Sequence, residues 1–136
     1  MADRAYDLEE RLLQYAVEIV RLVEQLPDTR SGNLVAGQLL RSGTSALPNH
    51  GEAEGAESRN DFVHKLSICH KEMREARRWL LLIQRVPLLN DPASVSELLS
   101  ETEQLIRIFA ASIRTARANA AREETAGYET DGECLE

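Results

Sequence analysis

Apolar residues along most of this chain recur at alternating steps of four and three, the spacing that keeps side chains on one face of an α-helix. From Tyr6 to Leu26 they fall at Leu8, Leu12, Tyr15, Ile19, Leu22 and Leu26, with Leu13, Ala16, Val20 and Val23 as a second stripe alongside. Two adjacent stripes predict a helix packed against two neighbours, as in a bundle, rather than one seam of a coiled coil. Pro27 ends this helix. Asp28, Thr29 and Ser31 then offer N-cap oxygens for a second helix whose inward positions are Leu34, Val35, Leu39 and Ala46. Beside them Gln38, Ser42, Ser45 and Asn49 share one polar face, where small side chains permit close helix approach and hydroxyls can bond to carbonyls one turn back.

Pro48 lacks a backbone donor and its ring presses on the carbonyl of Thr44, so a distorted final turn is expected from Leu47 to about Ala53. A connection follows near Gly55 to Glu57. Ser58 and Asp61 form a capping pair for the third and longest helix, with a seam of Phe62, Leu66, Cys69, Met73, Ala76, Leu80 and Ile83. From Trp79 to Ile83 that helix is apolar around its whole circumference, which predicts a contact between subunits at Trp79, Leu81 and Leu82. Asp91 as N-cap and Pro92 at the first helical position open the fourth helix. Its seam of Val95, Leu98, Leu99, Thr102, Leu105, Ile106, Phe109, Ile113 and Ala116 runs to about Ala120.

Four helices with short connections predict an all-α, antiparallel up-down-up-down four-helix bundle over residues 1–120. Residues 121–136 have the composition of an acidic, flexible tail. At 136 residues the chain is long enough for one domain with its own core. Scarce aromatics and abundant Leu, Ala, Glu and Arg agree with helix over sheet.

Charge modifies this picture only when divided along the chain. The formal charge is −7. Glu123, Glu124, Glu129, Asp131, Glu133 and Glu136 against Arg122 give the tail −5, leaving −2 for residues 1–120. The stretch 104–119 holds Arg107, Arg114 and Arg117 and no acid, a locally basic helix end in an acidic protein. Lys65, Lys71, Arg74, Arg77, Arg78 and Arg85 on the third helix add to it. Many of these are expected to pair locally with Glu72 and Glu75. Bundle topology brings the end of the second helix, the start of the third and the end of the fourth to one pole. Asn49, His50 and Glu52 are therefore expected beside Arg114, Arg117 and Arg122, and Arg107, Arg114, Arg117, Arg122 and Lys65 are the candidate nucleic-acid contacts.

Other chemistry finds little support. Asp61 and His64 have the acid-x-x-His spacing of a di-iron bundle, but no second such pair exists, and no His or Cys cluster has zinc spacing. Ser42 and Ser45 lack a nucleophile-elbow pattern, and Cys69 and His70 are consecutive on a helix and point about 100° apart. The sequence therefore predicts no catalytic residues, no metal site and no cofactor. Cys69 reads as a small core hydrophobe, and with Cys134 as a free thiol in a reducing cytoplasm. MADRAYDLEE lacks the apolar region of a signal peptide, and the longest apolar run is too short to span a membrane.

The stretch QLLRSGTSALPNHGEAEGAESRNDFVHKLSICHKEMREARRWL resembles the bacterial four-helix-bundle family of proteins encoded as intervening sequences within 23S ribosomal RNA genes. The resemblance rests on Gln38, Arg41, Ser42, Ser45, Asn49, Glu52, Ala53, Ser58, Asp61, Phe62, Lys71, Glu72, Trp79 and Leu80, and extends over about residues 6–118. It implies a homopentamer with a central opening. A related branch, the accessory proteins of diversity-generating retroelements, binds nucleic acid and a reverse transcriptase. Pro48 departs from the pattern, and the body lacks that branch's strong positive charge. The combined expectation is a non-enzymatic, homo-oligomeric scaffold or adaptor associating with RNA, DNA or a nucleic-acid enzyme. The alternative is a protein–protein interaction module with no nucleic-acid role.

Overall fold

The computed structural model describes residues 4–134. Among the described residues every regular element is a helix: α1 (Arg4–Glu24), α2 (Arg30–Thr44), α3 (Ala46–Glu54), α4 (Arg59–Arg85) and α5 (Pro92–Cys134). α2 and α3 are two segments of one arm, so the chain makes a four-helix bundle. α1 packs on α2, α3 and α5, and α4 packs on α2, α3 and α5, which places α1 diagonally opposite α4.

The start signals act as the sequence predicts. Thr29 Oγ1 accepts from the Gly32 amide at 3.0 Å, Ser58 Oγ from the Asp61 amide at 3.0 Å, and Asp91 Oδ1 from the Ser94 amide at 3.3 Å. Gly32 is required at its position, because a Cβ there would lie 2.0 Å from the Pro27 carbonyl oxygen. The α1–α2 contact depends on a second glycine: a Cβ on Gly43 would meet three side-chain atoms of Ile19 at 2.8–2.9 Å.

The core follows the predicted seams of α4 and α5 closely. Leu66, Cys69, Met73, Ala76, Leu80 and Ile83 face Val95, Leu98, Leu99, Leu105, Phe109, Ile113 and Ala116, all buried. α1 adds Leu12, Tyr15, Ile19 and Leu22. The buried polar groups are satisfied. Thr102 donates to the Leu98 carbonyl at 2.6 Å, so its hydroxyl proton is committed and the Tyr15 hydroxyl is the donor in their 2.7 Å contact. Burial raises the Tyr15 pKa well above its ordinary value. Cys69 lies against the Ala46 carbonyl, and burial lifts its thiol to about 12, which keeps it unreactive.

Three expectations need correction. Leu34 does not point inward: Val35 and Leu39 take the core positions and Leu34 is 60 % exposed on the flank toward α4. In the second stripe of α1, Ala16 and Val23 are buried, while Leu13 and Val20 are 45 % and 42 % exposed, because α2 covers only the near edge of that stripe. The irregularity caused by Pro48 falls at Ser45, not over residues 47–53. The proline denies a hydrogen bond to the Thr44 carbonyl one turn earlier, yet Ser45 keeps helical dihedrals (φ −65°, ψ −34°) and the arm continues to Glu54.

α5 also extends beyond the point where its seam ends. Among the residues whose burial is described its last buried apolar one is Ala116, but the helix runs on to Cys134, about 64 Å in all against about 40 Å for α4. The alanines and glutamates in the first half of this stretch favour helix there, whereas Gly127 and Gly132 oppose it. Arg59 at the start of α4 pairs with Glu123 on this extension at 2.6 Å.

Candidate nucleic-acid interface

Helix α4 carries two outward stripes at four-three spacing, and its neighbours determine what each becomes. The stripe toward α2 reads Ile68, Glu72, Glu75, Trp79, Leu82, Val86. The stripe toward α5 reads Lys71, Arg74, Arg78, Leu81, Arg85, with Arg77 on its inner edge.

On the α2 side Arg41 crosses from the neighbouring helix and pairs with both acids, with Glu72 at 2.9 Å and with Glu75. Glu75 also accepts from the Trp79 indole at 3.3 Å. These contacts turn the carboxylates away from the arginines of their own helix, where local pairing was expected. Above Arg41 the same flank becomes apolar. Antiparallel register carries Arg41 up two turns to Leu34, and Glu72 and Glu75 up to Trp79 and Leu82. Leu34, Trp79, Leu82 and Val86 therefore share one surface strip, with Leu82 42 % and Val86 56 % exposed. Leu81 lies on the α5 side of the helix, and like Trp79 it packs half-buried against the core. A second apolar strip, Leu13 and Val20 of α1 with Leu40 of α2, occupies the adjacent α1–α2 face.

On the α5 side the partners are basic as well. The pairs Arg77–Glu103 at 3.2 Å, Gln84–Ser96 at 3.2 Å and Arg59–Glu123 fix the register and set Arg107 level with Arg74. Glu103, Arg107, Ala110, Arg114 and Arg117 follow one another at four-three spacing down α5. The two helices enclose a groove of about 360 Å³ lined by Arg74, Arg77, Arg78, Glu103, Ile106 and Arg107. Among the described residues Arg74, Arg78, Arg107, Arg114 and Arg117 have no ion-pair or hydrogen-bond partner. His70, one turn before Arg74, has its pKa lowered by burial and secondarily by the Arg74 charge.

The remaining candidates are distributed elsewhere. Lys65 sits on the opposite flank and pairs with Glu52 at 2.8 Å, a hydrogen bond that raises its pKa, so it does not join the arginines. Asn49 donates to the Ser45 carbonyl at 2.9 Å and to its hydroxyl at 3.1 Å. His50 is buried edge-on to Phe109, its Nε2 3.4 Å from Glu54. The Asn49, His50 and Glu52 cluster is thus locally partnered. Arg122 is exposed on the α5 extension. Sequence reasoning underrated Arg74, Arg77 and Arg78 because Glu72 and Glu75 look like their partners. The available signal was Arg41, three residues from Gln38 on the outward polar face of α2.

Comparison with known proteins agrees with the fold. The sequence model of the 23S rRNA-intervening sequence protein family matches residues 5–111. The chain belongs to that family. A solved structure from the S23 ribosomal protein family of Bacteroides thetaiotaomicron, a protein of unknown function, is 30 % identical with a TM-score of 0.75. The alignment covers 82 % of this chain and 99 % of that one. No match was found among the curated proteins compared. No helix among the described residues is long and apolar enough to cross a membrane. Membership leaves activity open.

Proposed function

We propose that this family member is a non-enzymatic, homo-oligomeric scaffold that holds nucleic-acid backbone on the α4–α5 flank. The observation that carries the reading is the diversion of Glu72 and Glu75 to Arg41, which leaves an arginine flank whose one nearby acid, Glu103, is engaged by Arg77. Such a flank attracts phosphate despite an acidic whole, because potential at short range follows local charge and screening removes distant acids. Binding of this kind releases counterions and weakens steeply with salt.

Two unlike apolar strips support the oligomer. Leu34, Trp79, Leu82 and Val86 lie on the α2–α4 face, and Leu13, Val20 and Leu40 on the α1–α2 face. One strip meeting the other in the next subunit is a heterologous contact, and when the rotation closes it makes a ring. We favour a pentamer. A ring repeats the arginine flank around its circumference, and repetition raises avidity beyond one subunit's affinity. An enzyme acting on the bound nucleic acid, such as a reverse transcriptase, is the protein partner this arrangement would serve.

Native mass spectrometry with a salt titration of binding to structured RNA and duplex DNA tests both halves. A closed oligomer that binds at low salt and releases at high salt is expected. A monomer at micromolar concentration would overturn the scaffold, and absence of binding at low salt would overturn the nucleic-acid role. A second reading, a protein-binding module alone, is favoured by the Leu34–Trp79–Leu82 strip and would keep the oligomer while binding no nucleic acid.

A further inference from the structure

The groove between α4 and α5 differs from the rest of the basic flank in the kind of group it can accept. Four guanidinium groups, of Arg74, Arg77, Arg78 and Arg107, face one carboxylate, Glu103, so three positive charges remain around about 360 Å³. Arg77 uses only its Nε on Glu103, which leaves its two terminal nitrogens free. Arg74, Arg78 and Arg107 make no hydrogen bond among the described residues. The groove is therefore rich in donors, and its one strong acceptor is already engaged. Ile106 adds an apolar wall and no aromatic ring lines the space.

A nucleobase can stack on a guanidinium plane, but a base or a sugar also brings donors of its own, and the groove's one strong acceptor is already taken. A ligand made of acceptors and negative charge fits instead. A backbone diester carries one charge per phosphate, so a single diester leaves most of the groove's charge unmatched. Three linked phosphates concentrate enough charge in one small volume, and planar guanidinium forks bind their oxygens two at a time.

We propose that this groove is a binding site for a triphosphate group, presented by a 5′-triphosphate RNA end or by a free nucleoside triphosphate. The inference rests on the α4–α5 flank being a phosphate-binding surface and adds a chemical preference to it. Binding is recognition alone, and no bond is made or broken.

The test uses the full-length protein at fixed moderate salt, with one RNA sequence carrying a 5′-triphosphate, a 5′-monophosphate or a 5′-hydroxyl. Inorganic tripolyphosphate and ATP serve as competitors. The 5′-triphosphate RNA is expected to bind about tenfold more tightly than the 5′-hydroxyl RNA. Tripolyphosphate should compete that advantage away, and Arg74→Ala and Arg107→Ala should each remove most of it, with circular dichroism confirming an intact fold. ATP competing as well as tripolyphosphate, with no advantage for the triphosphate RNA end, assigns the group to a free nucleotide. Equal affinity for all three RNAs with no effect of tripolyphosphate overturns the triphosphate site and leaves the backbone-binding flank standing. Failure of every RNA to bind, while tripolyphosphate still binds and is lost in Arg74→Ala, overturns the flank's nucleic-acid role and keeps the groove.

Discussion

The two outward flanks of α4 are built from one continuous stretch of sequence and reach opposite electrostatic outcomes. Toward α2 the acids are satisfied by Arg41 and the surface above them is apolar. Toward α5 the arginines meet further arginines and a single glutamate already paired. In the segment KEMREARRW two acids lie among four cations and look like their local partners, but a helix distributes consecutive residues around its axis and each neighbour selects its own set. Net charge along a sequence is thus a poor guide to charge on a face.

The most forceful way to break the contrast is to reverse the arginine flank. Arg74→Glu with Arg78→Glu is expected to lower affinity for structured RNA on the order of a hundredfold, read by fluorescence anisotropy. Both residues are exposed, so the melting temperature should barely change. On the opposite flank, Leu82→Lys places a charge in the apolar strip and is expected to dissociate the oligomer, at about 2 kcal/mol or more per contact. Sedimentation velocity reads the outcome, and an unchanged assembly would remove this strip from the interface.

A subtler change acts across the helix. Arg41→Ala should release Glu75 toward Arg78, three residues on and one helical turn away, and weaken RNA binding about twofold to threefold although Arg41 lies on the other flank. The stability cost should be about 1 kcal/mol, since Arg41 is half exposed although its partner Glu72 is largely covered. The smallest effect concerns His70. Arg74→Ala should raise its pKa by NMR titration without restoring the ordinary 6.5, because burial is the larger cause of the depression. The sign for stability follows: the unfolded chain takes up the proton first. His70's contribution is therefore full above its ordinary value and declines as pH falls from there toward the depressed one.

Much of the fold was legible because periodicity and capping signal local structure directly. The seams of α4 and α5, the Thr29, Ser58 and Asp91 caps and the Ser42 bond to the Gln38 carbonyl at 3.0 Å all follow from spacing and side-chain chemistry. Leu34 was misjudged because a leucine beside a valine can occupy either edge of a helical face, and only the packed partner decides. The candidate site was half legible. Arg107, Arg114 and Arg117 stand out as a stretch without acids, whereas Arg74, Arg77 and Arg78 depend on a long-range partner, Arg41, that no local rule assigns to Glu72 and Glu75. Lys65 was drawn into the set by charge alone, and Glu52 takes it out.

The diversion of those two acids is tested most directly by neutralising them. Affinity for structured RNA, and its salt dependence, can be compared between the natural protein and Glu72→Gln with Glu75→Gln. If Arg41 holds both carboxylates away from the arginine flank, affinity should rise by less than about threefold with an unchanged salt slope. A gain on the order of a hundredfold with a steeper slope would mean that Glu72 and Glu75 neutralise Arg74 and Arg78 after all, and the contrast between the two flanks would not stand.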